Sequence, residues 1–148
     1  MENVGDLVLK HAIQSQQADD IVNIALKFVR KHFDMEAAYL SEFVEDDLVF
    51  RMVDAPGLED IIDVGGKIPL DQVYCRHILE GRLPELIPDT DHIPFAQTIP
   101  ITHSLPIRSH VSVPIKRADG SYFGMFCCLS RHARPSLNAR DLEVMRVF

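Results

Sequence analysis

The three cysteines carry the most nucleophilic side chains of this 148-residue chain. A deprotonated thiol can attack an electrophile or bind a soft metal ion. Cys127 and Cys128 are adjacent in a segment with strand periodicity, so their side chains point to opposite faces and do not readily share one metal ion. No sequence pattern pairs these thiols or Cys75 with a catalytic base. We therefore expect buried, inert thiols. The alternative that stays open is a redox enzyme or sensor that uses Cys75 or Cys127.

The seven histidines are scattered and do not form a metal-binding motif. No pair has H-x-x-x-H spacing, and the chain has no C-x-x-C motif. His103 and His110 are candidates to face a pocket near Asp89 and Asp91. A lone histidine is more often a surface or hydrogen-bonded residue, so we expect no metal site, and the sequence leaves the cofactor unknown.

The elements that must position these residues are clearest between His110 and Ser130. Apolar side chains alternate along two predicted strands, which are marked by Val111, Val113 and Ile115 in the first and by Phe123, Met125, Cys127 and Leu129 in the second. Asp119-Gly120 predicts a tight hairpin turn between them. Pro114 is unexpected within a strand because it lacks the N–H group that a strand ladder uses.

The remaining elements follow from periodicity and capping signals. Helices are predicted over Val4–Ser15, from Asp19 and Asp20 onward, over Asp71–Leu79 and from Asn138 onward. Strands are predicted over Ala37–Val44, Leu48–Asp54, Lys67–Leu70 and Glu85–Pro88. The helix that Asp19 and Asp20 open has one face formed by Ile21, Ile24, Ala25, Phe28 and His32. The segment from Asp89 to Ser109 is expected to be irregular because it contains three prolines.

Composition narrows the class of protein. The chain is 47% hydrophobic, which indicates one globular domain rather than a disordered segment. Its net charge of −7 disfavours binding to nucleic acid through phosphate contacts. No apolar stretch reaches the length of a membrane span, and MENVGDLVLK lacks a signal-peptide pattern. An odd number of cysteines argues against a disulfide framework, so we expect a cytoplasmic protein without membrane contact.

Three motifs resemble the GAF domain family in their order and spacing. The stretch HVSVPIKRADGSYFGMFCCLS resembles the last hairpin of that fold, with a VPI strand, a DG turn and an FGxxxxxS-like strand. The stretch from Tyr74 to Thr90 is similar to the middle of the fold, with a helix that stops at Gly81 and a short I-x-D strand. The last helix begins like the family's F-x-x-x-D motif, with Leu137 in place of Phe. VYCRHILEGRLPELIPDT and SHVSVPI look most like GAF modules of bacterial proteins that carry cyclic-dinucleotide enzymes downstream.

The resemblance implies an α+β fold and a regulatory role. We expect residues 1–148 to form one GAF domain with a central antiparallel sheet of about six strands. The N- and C-terminal helices would lie on one face, and a pocket covered by a helix and a loop would lie on the other. Such a module senses or relays rather than catalyses, and it would control a downstream output domain, with cyclic-di-GMP turnover as one candidate. The helical pattern continues to the last residue, so we expect an N-terminal fragment of a longer protein.

The resemblance also suggests where a small-molecule ligand would bind. The candidate pocket residues are Tyr74, Cys75, Ile78, Asp89, Phe95, His103 and His110. In bilin-binding relatives a secondary cysteine lies near the position of Cys75. Their principal attachment cysteine precedes a histidine, but here Thr102 precedes His103, and threonine cannot form a thioether. A haem or bilin sensor therefore stays an alternative to an unknown ligand.

A homodimer is the expected assembly. Apolar side chains with helical spacing mark both terminal helices, namely Val4, Leu7, Val8 and Ala12 in the first and Leu142, Met145 and Phe148 in the last. Because one sheet face cannot cover both sides of these helices, we expect an apolar outer surface on each. A two-fold interface would bury such a surface against its own copy.

Overall fold

The computed structural model describes residues 19–147, and these form an α+β fold around one six-stranded sheet. The strands are β1 (Ala37–Val44), β2 (Asp47–Asp54), β3 (Lys67–Pro69), β4 (Leu86–Ile87), β5 (Ser109–Lys116) and β6 (Tyr122–Ser130). Their spatial order is β3-β2-β1-β6-β5-β4, and every neighbouring pair is antiparallel. The fold class and the number of strands expected from the sequence are therefore confirmed.

Four helices accompany the sheet. They are α1 (19–32), α2 (Cys75–Leu79), α3 (Ile101–Ser104) and α4 (Ala139–Val147). Short 3-10 turns cover Leu70–Gln72, Thr90–His92 and Pro94–Thr98. The predicted helix Val4–Ser15 and the residue Phe148 lie outside the described residues. Across residues 19–147, the helices are too short or too polar to traverse a bilayer.

The β5–β6 hairpin forms as its sequence predicts, and its register explains Pro114. The turn is closed by the Arg117 N–H, which donates to the Ser121 carbonyl oxygen at 2.7 Å, and Gly120 takes a φ of +88°. The Ser112 N–H points toward β4 and donates to the Glu85 carbonyl at 3.0 Å. Pro114 is two residues further along β5, beyond the end of the short strand β4. No β4 carbonyl group lies opposite its nitrogen. The missing N–H of Pro114 therefore interrupts no ladder.

The two faces of the sheet carry two separate cores. On the helix side, α1 and α4 pack over the sheet through Leu26, Val29, Phe33, Val111, Val113, Phe126, Cys128 and Met145. On the opposite side, which we call the pocket side, α2, α3 and the loops cover Tyr39, Leu48, Phe50, Tyr74, Cys75, Met125, Cys127 and Leu129. The alternation of side chains along β6 thus sends Cys127 and Cys128 to opposite cores, as predicted.

The helix predicted over Asp71–Leu79 is shorter in the structure. Leu70–Gln72 forms a 3-10 turn, and Val73 then takes an extended conformation with φ −124° and ψ 175°. This conformation buries the Val73 side chain in the pocket-side core, and α2 begins only at Cys75. Asp71 therefore does not cap the helix. Gly81 ends the segment with a φ of +80°, as the sequence indicates.

The last helix is capped as predicted, but its apolar side chains turn inward. The Asn138 side-chain oxygen accepts a hydrogen bond from the Arg140 N–H at 2.9 Å, and the Asp141 carboxylate accepts one from the Asn138 N–H at 2.8 Å. Met145 is fully buried against the sheet and Leu142 is partly buried. The expectation that Met145 offers an outer surface is therefore wrong, because α4 needs that face to cover β5.

Candidate functional site

A cavity of about 230 Å³ lies on the pocket side, between the sheet and the segments that cover it. The sheet supplies its floor with Tyr39, Leu48, Phe50, Ile68 and Leu129. The walls come from Ile61, Ile62, Gln72, Val73, Ile101, Ser104 and Leu105. The cavity therefore joins β1, β2, β3 and β6 to α3 and to the loop that follows β2.

The lining of this cavity has no charged side chain. Its polar groups belong to Tyr39, Gln72 and Ser104, and the rest of the lining is aliphatic or aromatic. An ionic ligand would lose its hydration here without gaining a counter-charge, which disfavours a phosphate or a carboxylate. The lining instead suits an uncharged, largely apolar molecule that makes one or two hydrogen bonds.

The size of the cavity sets a second limit on the ligand. Pockets for drug-sized ligands usually have volumes of about 300–1,000 Å³. Apolar cavities of about 150 Å³ already accommodate benzene. A cavity of about 230 Å³ is thus suited to a one- or two-ring compound, and it is too small for a tetrapyrrole unless its walls move.

One pair of hydrogen bonds holds the covering segments together beside the cavity. The Thr102 hydroxyl donates to the Ala96 carbonyl oxygen at 2.6 Å. Its single proton is thereby used, so the Tyr74 hydroxyl donates to the Thr102 oxygen. Burial raises the pKa of Tyr74 to about 12, which keeps this donor protonated. The residue before α2 is thus fixed to α3, whose residues form one wall of the cavity.

His110 and Ser112 bring two unpartnered polar atoms to the pocket side of β5. His110 is 2% exposed, and its ring meets the Tyr74 ring edge-on with 5.1 Å between centroids. Neither His110 Nδ1 nor the Ser112 hydroxyl has a hydrogen-bond partner within the described residues. Burial lowers the pKa of His110 to about 4, so the imidazole is neutral near pH 7.

The other predicted pocket residues lie in the segment between β4 and β5. The Asp89 carboxylate accepts two hydrogen bonds of 3.1 Å from Arg108, and this guanidinium holds the Asp89 pKa below its usual range. The Phe95 ring packs edge-on against His77 at 5.0 Å between centroids. His103 is exposed and bonds the Gln97 carbonyl oxygen at 2.8 Å through Nε2.

The seven predicted residues therefore divide into two groups. Tyr74, Cys75, Ile78 and His110 are buried on the pocket side. The others are not fully buried: Phe95 packs half-buried against that core, Asp89 is half-buried, and His103 is exposed. None of the seven lines the 230 Å³ cavity, although Tyr74 and Cys75 directly follow its wall residue Val73. The lining residues were missed because leucine, isoleucine and phenylalanine side chains at strand spacing are also what an ordinary core requires.

The thiols are buried. Cys75, Cys127 and Cys128 are all free, and each is at most 1% exposed. Burial raises the pKa of Cys127 and of Cys128. Within residues 19–147, no three His, Cys, Asp or Glu side chains converge where a metal ion could be held.

A second concavity lies on the helix side, in a groove between α1 and α4. Its volume is about 680 Å³, and it is lined mainly by Ile21, Val22, Ala25, Leu40, Val113, Pro114, Ile115, Phe126 and Met145. Its lining also contains an ion pair between Glu85 and Arg146, with 2.9 Å between the charged atoms. Ile21, which also lines the groove, and Ile24, one turn further along α1, are 66% and 68% exposed. The groove is therefore an apolar surface that is continuous with an apolar ridge.

The sequence profile of the GAF domain matches residues 17–148 of this chain. The chain belongs to the GAF domain family. This GAF domain resembles the one from Acinetobacter phosphoenolpyruvate-protein phosphotransferase with a TM-score of 0.66 and 11% identity, over 99% of this chain and 89% of the other. No curated protein sequence matches it.

Two further solved structures show how widely the fold is used. A far-red cyanobacteriochrome photoreceptor has a TM-score of 0.64 and 10% identity, over 99% of this chain and 92% of its own. The free methionine-R-sulfoxide reductase from Neisseria meningitidis has a TM-score of 0.60 and 18% identity, over 83% of this chain and 68% of its own. Identities this low establish a shared fold. The proteins that share it include a photoreceptor and an enzyme.

Proposed function

We propose that this GAF domain senses a small, uncharged and largely apolar molecule in the 230 Å³ cavity. The observation that carries the proposal is the lining, which combines two aromatic rings and many aliphatic side chains with no charge. Burying apolar ligand surface there would supply about 25 cal/mol for each Å² removed from water. The few polar groups of Tyr39, Gln72 and Ser104 would orient the ligand.

The two central strands offer a route from the cavity to the terminal helices. Tyr39 and Leu129 line the cavity, and their chain neighbours Ala38 and Cys128 are buried in the helix-side core. A ligand that shifts β1 or β6 would therefore change the packing beneath α1 and α4. Because protein cores are close-packed, a displacement on one face of a strand is felt on the other. In this way, ligand occupancy would bias the position of α4.

We also infer that the domain forms a two-fold dimer through α1. The ridge of Ile21 and Ile24 lies beside the apolar groove on the same molecule, so one copy has both halves of a complementary contact. A two-fold axis would place each ridge in the groove of the other copy. Met145 of α4 is buried and lines this groove, so it does not form an exposed contact surface of its own. In this assignment α1 takes the place that the sequence analysis gave to the last helix, and the predicted contact of helix Val4–Ser15 lies outside the described residues.

The setting that we propose is a cytoplasmic signalling protein in which this domain controls a downstream output domain. The odd number of cysteines suits a reducing compartment. Cyclic-di-GMP turnover is the candidate output, and its support is the likeness of the Val73–Thr90 and Ser109–Ile115 segments to GAF modules in such proteins. Haem or bilin binding is disfavoured by the cavity volume and by Thr102 in place of a cysteine.

A matched pair of ligands tests the binding proposal. Indole is uncharged and bicyclic, whereas indole-3-acetate adds one carboxylate to the same ring system. We expect indole to raise the thermal midpoint of the protein in a concentration-dependent way and indole-3-acetate to have little effect. Ser104→Trp, at the exposed rim of the cavity, should abolish the indole effect, and Ser136→Trp on a distant loop should preserve it. Equal responses to both ligands, or to both variants, would refute the site.

A further inference from the structure

We propose that Ile62 is a specificity-determining residue, which limits the length of the ligand by separating the 230 Å³ cavity from a second concavity of about 350 Å³. This second space, which we call the outer concavity, lies between the end of β2 and the loop that follows it. Ile62 lines both spaces, and among residues 19–147 it is the only residue that does. The inference rests on the proposed function and adds to it the side chain that sets the longest ligand the site admits.

The loop after β2 holds Ile62 as an inner wall. The Leu58 N–H donates to the Ala55 carbonyl oxygen at 3.0 Å, and the Ile62 N–H donates to the Leu58 carbonyl oxygen at 2.9 Å. Leu58 and Ile62 are each 3% exposed and belong to the pocket-side core. Ile61 lines the cavity but not the outer concavity, and it is 48% exposed. Ile61 therefore lies at the mouth of the cavity, whereas Ile62 lies between the two spaces.

The two spaces differ in charge, which provides a marker for a ligand that extends past Ile62. Within the described part of the chain, the outer concavity is lined by the carboxylates of Asp54, Glu59 and Asp63 and by no basic side chain. Asp54 is paired with Arg30, with 2.5 Å between the charged atoms, so Glu59 and Asp63 give this space its negative charge. A ligand that reaches it should favour an ammonium group over a carboxylate at its far end.

Truncation of Ile62 should join the two spaces. Ile62→Ala removes the side chain beyond Cβ, and packed cores relax only partly around a deleted group. The joined space would reach the range of about 300–1,000 Å³ that is usual for drug-sized ligands. We therefore expect wild-type protein to admit indole and to exclude 5-benzyloxyindole, because the added ring of the longer compound needs the space behind the Ile62 side chain.

Ligand fluorescence measures these affinities directly, because the chain contains no tryptophan. The anisotropy of the indole ring is followed while protein is added, with excitation at a wavelength that tyrosine hardly absorbs. Ile62→Ala should bind 5-benzyloxyindole at least about tenfold more tightly than the wild-type protein does. The same variant should bind tryptamine, whose tail is an ammonium, more tightly than indole-3-acetate, whose tail is a carboxylate.

Two further variants make the comparison specific. Leu58→Ala removes an equally buried aliphatic side chain from the same turn, but Leu58 lines neither space. It should therefore keep the wild-type preference for indole over 5-benzyloxyindole. Ile62→Val is a smaller truncation that covers the case in which Ile62→Ala does not fold, and it should change the affinities in the same direction by a smaller factor.

The outcomes separate this inference from the proposed function. If wild-type protein binds indole but neither Ile62 variant gains affinity for 5-benzyloxyindole, the role of Ile62 is overturned and the proposed function stands. An equal gain in Leu58→Ala, or wild-type protein that binds both compounds equally well, would also overturn it. Wild-type protein that binds no indole would refute the proposed function and this inference with it.

Discussion

The Tyr39 ring meets the Phe50 ring edge-on, with 4.9 Å between centroids, and both rings form the floor of the uncharged cavity. Tyr39 comes from β1 and Phe50 from β2, so the contact joins the two strands beneath the ligand site. Edge-to-face pairs of this kind add about 0.5–1.5 kcal/mol beyond their buried area. The pair therefore gives the cavity a rigid aromatic floor.

The stability of the domain should fall as the pH decreases from about 6.5 to about 4, because His110 is buried and neutral. Its folded-state pKa is about 4 against an ordinary value of 6.5, so acid protonates the unfolded chain first. A shift of this size corresponds to about 3 kcal/mol of unfolding free energy, fully present above pH 6.5. His110→Phe, measured by urea unfolding across this pH range, should flatten the dependence.

His103→Gln is the matched control for that measurement, because His103 is exposed. It should leave the pH dependence of wild-type protein intact. A wild-type slope that persists in His110→Phe would contradict the assignment of the acid sensitivity to His110.

Gly124 permits the close approach of β6 to β1, so Gly124→Ala should be strongly destabilising. A Cβ atom at this position would lie 1.8 Å from the Ser41 carbonyl oxygen and 2.6 Å from its carbon. Backbone atoms cannot move aside as a flexible side chain can, and we expect a loss of about 3 kcal/mol or more. Chemical denaturation measures this loss. At Gly120 an added Cβ atom would meet no other atom, and only the positive φ would be strained. Gly120→Ala should therefore lower the free energy of unfolding by only about 1 kcal/mol. Similar losses in both variants would count against the clash.

Ile24→Asp should convert the proposed dimer into a monomer. Ile24 is 68% exposed on the ridge of α1, and a carboxylate there could not be buried in the groove of a second copy without a large desolvation cost. Light scattering at micromolar protein concentrations measures the change. Ile61→Asp, on an exposed apolar residue of the pocket side, should remain dimeric. A monomeric wild-type protein would rule out this interface.

The sequence predicts correctly those elements that have an unambiguous signal, either a regular alternation of apolar and polar side chains in a strand or a capping residue at a helix end. β1 agrees with its predicted bounds, and Asn138 caps α4 as expected. The orientation of α1 does not follow from its sequence, because the helix is apolar on two sides. Ile21 and Ile24 look as suitable for a core as Leu26 and Val29, which are the residues that pack on the sheet.

The cavity could not be located from the sequence for a related reason. Leu48 and Leu129 occupy ordinary core positions of their strands, and a gap arises beside them only because α3 and the loop after β2 do not fill the space. The conformation of such covering loops depends on tertiary contacts such as Tyr74 with Thr102, which no local pattern encodes. Histidine and cysteine side chains stand out in a sequence because of their chemistry, whereas an aliphatic cavity lining does not.

The most direct test of ligand sensing is a two-dimensional NMR titration of isotope-labelled protein with indole. We predict saturable shifts of backbone amide signals around the cavity, at Tyr39, Ile62, Val73 and Leu129, accompanied by smaller shifts in α4. Shifts confined to the helix-side groove, at residues such as Val22 and Met145, would contradict the proposed site. An unchanged spectrum at millimolar indole would contradict the central claim that this cavity binds small uncharged molecules.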